Sequence, residues 1–357
     1  MARISEAAAA SEAVDVGEAA NTFANDVVCR AVSGKFFRAE GRNKLFRELV
    51  VANSALLAGF NLEDYFPRLA GLLNRFVRNK AQTTHQRWDE LLEAIIGDHE
   101  KNKNSMNHGC GDNGIDDEQG ESDFIDVLLS VHQEFHGITR DHIKAILIDM
   151  FGAGTDTSSL VLEFAMAELM RNPQLMTKLQ SEVRNGTPKG QGLVEEENLA
   201  GMSYLKAVVK ETLRMHPPLP LLLPHLAMAD CEVEGYTIPA GTRVIINSWA
   251  IGRYPGSWEK PEEFVPERFV QGGAAVAVDL RGKDFQFVPF GAGRRICPGL
   301  NFGLATVEIM LANMVYCFDW ELAPGMGRDD IDMTEVFGAT VRRKERLVLI
   351  PKHHLVA

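Results

Sequence analysis

The sequence predicts a mainly α fold with small β-sheets, and three observations support this. Apolar residues recur at helical spacing through most of the chain, one segment alternates as strands do, and no internal repeat divides it into modules. With 357 residues, 45% hydrophobic and 24% charged, the chain can bury a substantial core and reads as one domain over 1–357.

Helices are expected first in "NKLFRELVVANSALLAGF" (43–60) and "RWDELLEAII" (87–96). The stretch 101–123 is polar, acidic and rich in Gly, Asn and Asp. It reads as a mobile surface loop within the domain, because helical pattern resumes directly at "FIDVLLSV" (124–131). Thr139 has the character of an N-cap, and an apolar helical run follows as far as Asn172-Pro173, where proline stops it. Shorter helices cover "PQLMTKLQSEV" (173–183) and about Met202 to Met215, the second ended by "HPPLP". The segment "CEVEGYTIPAGTRVIINSWAIG" (231–252) alternates and breaks at Pro239-Ala240-Gly241, a hairpin signal. "LATVEIMLANMVYCF" (304–318) is helical again, and "ERLVLIPKHH" (345–354) is strand-like.

The formal charge of −12 argues against nucleic acid as a partner, since phosphate binding needs a basic face. The five cysteines, Cys29, Cys110, Cys231, Cys297 and Cys317, are odd in number and widely spaced, and none forms a CxxC pair. That fits neither a disulfide framework nor a zinc site and points to reduced thiols. No signal peptide and no uninterrupted apolar stretch of spanning length is apparent.

One loop concentrates unusual chemistry: "FVPFGAGRRICPGLNFG" (287–303). Cys297 precedes Pro298 and a helix starting near Gly299, so its sulfur faces the positive end of a helix dipole, which favours thiolate. Gly291, Gly293 and Gly299 permit close approach of something flat or bulky. Phe290 supplies an apolar lid, and Arg294 and Arg295 place fixed positive charge well suited to carboxylates. Together these suggest a haem with iron on sulfur and a propionate on arginine. A buried cysteine acting only as a small hydrophobe is the plain alternative, while dinucleotide and P-loop patterns both fail on spacing.

"FGAGRRICPG" resembles the cysteine-ligand signature of the cytochrome P-450 family, the haem-thiolate monooxygenases, with Phe290, Gly293, Arg295, Cys297 and Gly299 filling its positions. Three further motifs follow the family's order. "FGAGTDTSS" (151–159) sets two glycines and several hydroxyls mid-helix, where they are poor helix material; a kink with hydroxyls bonded back to carbonyls is the structural reading. The resemblance implies that Thr157 hydrogen-bonds dioxygen, that Asp156 relays protons and that Gly154 leaves room for O2. "KETLR" places Glu211 and Arg214 one helical turn apart, and "FVPERF" supplies Arg268. The resemblance implies that these three form a buried structural triad beneath the haem.

Taken over the whole chain, the similarity is to plant microsomal members of the cytochrome P-450 fold, incomplete at the N-terminus. Those are about five hundred residues long, and their membrane anchor, hinge and first helices have no counterpart here. His225 stands where relatives commonly carry an arginine that meets a propionate. The resemblance implies haem b (iron protoporphyrin IX) on Cys297, and electrons from NADPH through a separate flavin reductase. It also implies cytosolic-face endoplasmic reticulum localisation, with membrane association for a full-length form. The implied substrate is small and apolar, of terpenoid or phenylpropanoid type. The implied walls are Phe151, Ala153, Leu219, Leu222, Leu223 and the turn Phe337, Gly338, Ala339, Thr340, for each of which an ordinary core role is the alternative. An O2-independent haem-thiolate isomerase or dehydratase, or a non-catalytic remnant, are the rival functions.

Overall fold

A computed structural model describes residues 1–34, 42–57, 75–108, 122–135, 137–336, 338 and 340–354. They divide into two compact units, one of Thr22–Asp156 and one of Met1–Asn21 with Thr157–Ala357.

The first of these units is helical. It holds most of α2 (Val16–Ser33), then α3 (Arg42–Leu57), α4 (Arg75–His108), α5 (Phe124–Glu134) and α6 (Arg140–Gly154). Spacing in "LLEAII" puts Leu92, Ile95 and Ile96 on one stripe, and all three are fully buried with Leu49, Ile125 and Leu147. Aromatic rings fill the middle: Phe151 lies 4.2 Å from Phe46 and 6.3 Å from Trp88, centroid to centroid. Thr139 caps α6 as predicted, its side chain and that of His142 bonding reciprocally to each other's backbone N–H. Arg140 and Lys144 then strap α6 to Glu93 of α4 and hold that carboxyl down at about 2. The loop expected from residue 101 begins later. Helix α4 continues to His108 because "KNKNSMNH" is polar but holds no glycine or proline, and the first breaker is Gly109. Residues 109–121 of that expected loop lie outside the described residues.

The other unit opens with α1 (Ala2–Ala10) and the two-residue strand β1 (Val14–Asp15), which is too short to show alternation in the sequence. Beyond Thr155 come α7 (Asp156–Arg171), α8 (Pro173–Gly186) and α9 (Ser203–Met215). Four short strands follow, β2 (His225–Leu226), β3 (Cys231–Val233), β4 (Tyr236–Ile238) and β5 (Arg243–Val244), then α10 (Ser248–Gly252). Last are α11 (Leu300–Cys317), β6 (Phe318–Leu322), β7 (Glu335–Val336), β8 (Arg342–Arg343) and β9 (Val348–His353). All pairings among the described strands are antiparallel: β1-β9-β6, β2-β5, β3-β4 and β7-β8. The hairpin expected to turn at Pro239–Gly241 turns instead at Glu234-Gly235, both at positive φ (50° and 80°), which suits a two-residue turn.

By length and composition, Arg140–Arg171 and Leu300–Cys317 could each cross a membrane. Within α7, however, Glu163 pairs with Arg343 and Glu168 with His216, the pattern of a core helix with satisfied charges.

His99 of α4 generates a pH prediction. Its ring is buried, with Nδ1 on the Ile95 carbonyl (2.7 Å) and Nε2 on Asp123 (2.8 Å), the residue that caps α5. Burial is the largest influence and pulls its pKa down, but the bonds to Asp123 and the Ile95 carbonyl, with the charges of Asp123 and Asp126, together outweigh it and the net shift is upward from 6.5. A raised folded value means the stabilisation is complete below 6.5 and fades as pH rises through that value. The stability of Thr22–Asp156 in urea, followed by hydrogen exchange, should fall as pH rises above 6.5, and His99→Gln should remove that slope.

Candidate functional site

The site begins where the long apolar helix breaks. Thr155, buried between α6 and α7, donates its hydroxyl to the Phe151 carbonyl (3.4 Å), the back-bond expected of a hydroxyl in a kink. Asp156 and Thr157 open α7 and are half-buried. A Cβ added to Gly303 would lie 3.9 Å from Ser158 Oγ, so the first turn of α11 lies against the first turn of α7. The Thr157–Ser159 end of the hydroxyl motif and the helix that follows the cysteine are therefore neighbours.

The cysteine loop is short and internally bonded. Cys297 N–H donates to the Phe290 carbonyl (2.9 Å) and Ile296 N–H to that of Gly293 (3.2 Å), with Gly299 as the cap of α11. Gly291 and Gly293 stand at φ +73° and +70°, in the left-handed region, and nothing lies within 4 Å of where their Cβ atoms would be. Phe290 and Cys297 are half-buried, while Arg294 and Arg295 are exposed, with no carboxylate partner among the described residues. His225 sits exposed on β2, opposite Val244.

Beneath the loop is a buried charge cluster. Arg214 Nε and Nη2 each donate to Glu211 at 2.8 Å, and Arg268 Nε reaches both oxygens of the same carboxylate at 3.1 Å. Val265 N–H adds a further bond to it (2.8 Å). Sequence reasoning identified these three residues but not how they reach the loop. Trp258 lies 5.4 Å from the Arg214 guanidinium carbon and packs edge-on against Phe287, while Phe269 sits 5.5 Å from Phe287. Phe287 is the first residue of the cysteine loop, so the aromatics carry the triad's position into it. No motif surrounds Trp258; a tryptophan just upstream of "FVPERF" was the available signal.

The expected substrate walls divide. Val341 N–H donates to the Pro218 carbonyl (3.0 Å), which sets the Gly338–Thr340 turn beside half-buried Leu219 and Leu222. Leu222 holds φ +50° in that neighbouring turn, a conformation costly for a leucine. Leu223 and Ala153 are exposed, and Phe337 and Ala339 lie outside the described residues. Phe151 lies in the core of the Thr22–Asp156 unit, 1% exposed, tilted against Phe46 and stacked on Trp88. Gly154, expected to leave room for a ligand, has Val28 in that space: an added Cβ would fall 2.8 Å from Val28 Cγ2.

The Cytochrome P450 family model matches residues 1–350. The chain belongs to the cytochrome P450 family. An indole-2-monooxygenase of Zea mays is 56% identical over 98% of the chain, and an indolin-2-one monooxygenase of the same plant is 52% identical over 98%. A cytochrome P450 71D13 of Mentha piperita is 45% identical over 98%. The chain spans 64% of the length of each of the two maize proteins and 67% of the third.

The family implies a haem, and the donor set fits one. Among the described residues, no group of three or more metal-ligating side chains includes Cys297. One soft thiolate suits an iron whose remaining ligands a porphyrin would largely supply. Open space over Gly291 and Gly293 and two unpaired arginines fit the macrocycle's face and its carboxylates.

Gly154→Ala tests the packing at the break. Helix propensity alone would favour alanine by up to about 1 kcal/mol, but a branched, buried Val28 cannot swing aside. Overpacking of this kind costs about 1–3 kcal/mol, so a net loss is expected in denaturant unfolding. Combined with Val28→Ala, the pair should show favourable coupling of about 1 kcal/mol in a double-mutant cycle.

Proposed function

We propose that the chain is the haem-thiolate part of a monooxygenase that inserts one oxygen atom from O2 into a small apolar substrate. The observation that carries this reading is the approach of the Cys297 helix to the hydroxyl-bearing start of α7, at Gly303 and Ser158. Bound haem b supplies iron-centred oxygen activation, with electrons from NADPH delivered through a separate flavin reductase.

The chain's own residues do the rest. Cys297 holds the metal through sulfur and donates electron density, and the bond from its amide to Phe290 fixes where that sulfur points. Arg295 would neutralise a propionate, with His225 as a second hydrogen-bond donor. Phe290 and Gly299 border the porphyrin, and Gly293 lets the backbone approach it. Thr157 would offer a hydroxyl hydrogen bond on the haem-facing side of α7, and Asp156 would hold and pass protons there. Glu211, Arg214 and Arg268 take no part in bond-making. Leu219, Leu222, Gly338 and Thr340 enclose the substrate. The maize relatives named for indole and indolin-2-one favour a planar bicyclic substrate of that type over a terpenoid or phenylpropanoid. A longer form would sit on the cytosolic face of the endoplasmic reticulum.

Reconstitution with haem followed by reduction under carbon monoxide tests the reading. A Soret band strongly shifted to the red is expected, and Cys297→Ser should abolish it. Failure to take up stoichiometric haem would refute the proposal for this chain.

A further inference from the structure

The β7–β8 hairpin carries the Gly338–Thr340 turn, yet each strand contributes only two paired residues, Glu335 opposite Arg343 and Val336 opposite Arg342. A two-stranded ribbon that short is not stable by itself, so something else must hold the turn where it is. Its one cross-strand pair of charged residues supplies the anchors. Both members of that pair reach helix α7, each by a separate bridge.

On one side, Arg343 is almost fully buried. Its Nη1 lies 3.5 Å from Glu163 of α7, and its Nε and Nη2 donate to the Asp332 carbonyl at 3.2 and 2.7 Å. On the other side, Glu335 lies 3.3 Å from Nδ1 of His216, whose Nε2 is 2.9 Å from Glu168 of α7. The His216 ring is stacked on Phe164, 4.4 Å away and within 8° of parallel, so it cannot turn away from either carboxylate. His216 is also the cap residue of α9 and begins the "HPPLPLLLP" segment, which holds Leu219 and Leu222. The same imidazole thus touches the hairpin, the helix and the start of the opposing wall.

We propose that His216 and Arg343 are positioning residues for substrate selection, fixing the Gly338–Thr340 turn against the Leu219–Leu222 turn without touching substrate. This rests on the substrate role proposed above for those turns. Such bridges suit the task because they are directional and, on the α7 side, buried. Removing one partner strands the other in a medium of low polarity, so the hairpin has one favourable seat. The bond from Val341 to Pro218 then transmits that seat to the pocket wall.

The experiment uses the full chain with indole as probe. Glu335→Ala cuts only the hairpin side of the His216 bridge and leaves His216 on Glu168, so it should fold even if His216→Ala does not. Amide exchange over residues 338–343 should accelerate about tenfold, with α8 and α9 unchanged. Indole binding, read from the absorbance of the haem protein, should weaken about five- to tenfold while the carbon monoxide band persists. Glu335→Gln, which keeps an acceptor for the imidazole, should recover affinity to within about twofold of wild type. Unchanged exchange and unchanged indole affinity in Glu335→Ala would overturn the inference, as would exchange accelerated throughout the chain. Wild-type protein that takes up no haem refutes the proposed function instead, and the exchange arm still decides whether the bridges hold the turn.

Discussion

The carboxylate of Glu211 is the point from which the cysteine-bearing unit is organised. It is fully buried and shared by two guanidiniums, which leaves the cluster with an excess positive charge. A bare buried cation would be prohibitive. Here the excess is met by backbone oxygens: Arg214 donates to Gly252, Pro261 and Glu263, and Arg268 to Glu259, Lys260 and Glu263. Lys260 holds φ +47° in presenting its carbonyl, a conformation rare for a side-chain-bearing residue. The segment from 252 to 268 therefore has its path dictated by two arginines, and breaking such a cluster costs about 3–5 kcal/mol.

That segment bears Trp258 and leads directly into Phe269, and both pack on Phe287. The position of the cysteine loop is thus inherited from the carboxylate through an aromatic layer. The loop adds its own constraints through the bond from Cys297 to Phe290 and through Gly282. At φ +74°, Gly282 lets the backbone at Ala292 come closer than any side chain would allow. Function is then built on two scales. The triad and aromatics set where the Cys297 sulfur sits, while bridges from α7 hold the β7–β8 hairpin, for which we propose a substrate-facing role.

Much of this was readable in the residues, and the failures have physical causes. Long periodic helices such as α11 and the Thr139 cap followed from spacing and side-chain chemistry, because both are local. Strand β1 was not, since two residues carry no period and its pairing with Leu349 and Val348 is remote in sequence. The end of α4 was misplaced because polar composition suggests a loop, although only a glycine or proline ends a helix by its own geometry. Cys297 and the triad were found by motif. Phe151 could not be placed from sequence, because an aromatic residue beside a functional motif and one in a core look alike there; only Phe46 and Trp88, distant along the chain, show how it packs. The bridge through His216 depends on Glu168 and Glu335, separated by more than a hundred residues, and no local signal announces it.

The claim on which the account turns is that Glu211 holds the cysteine loop. Amide hydrogen exchange of Cys297 in Glu211→Gln tests it most directly, because that amide is bonded to Phe290 within the loop. The account predicts exchange faster by about a hundredfold across residues 287–299, with the amides of α8 retaining their protection. Loop protection equal to that of the wild type, despite loss of the carboxylate charge, would contradict it.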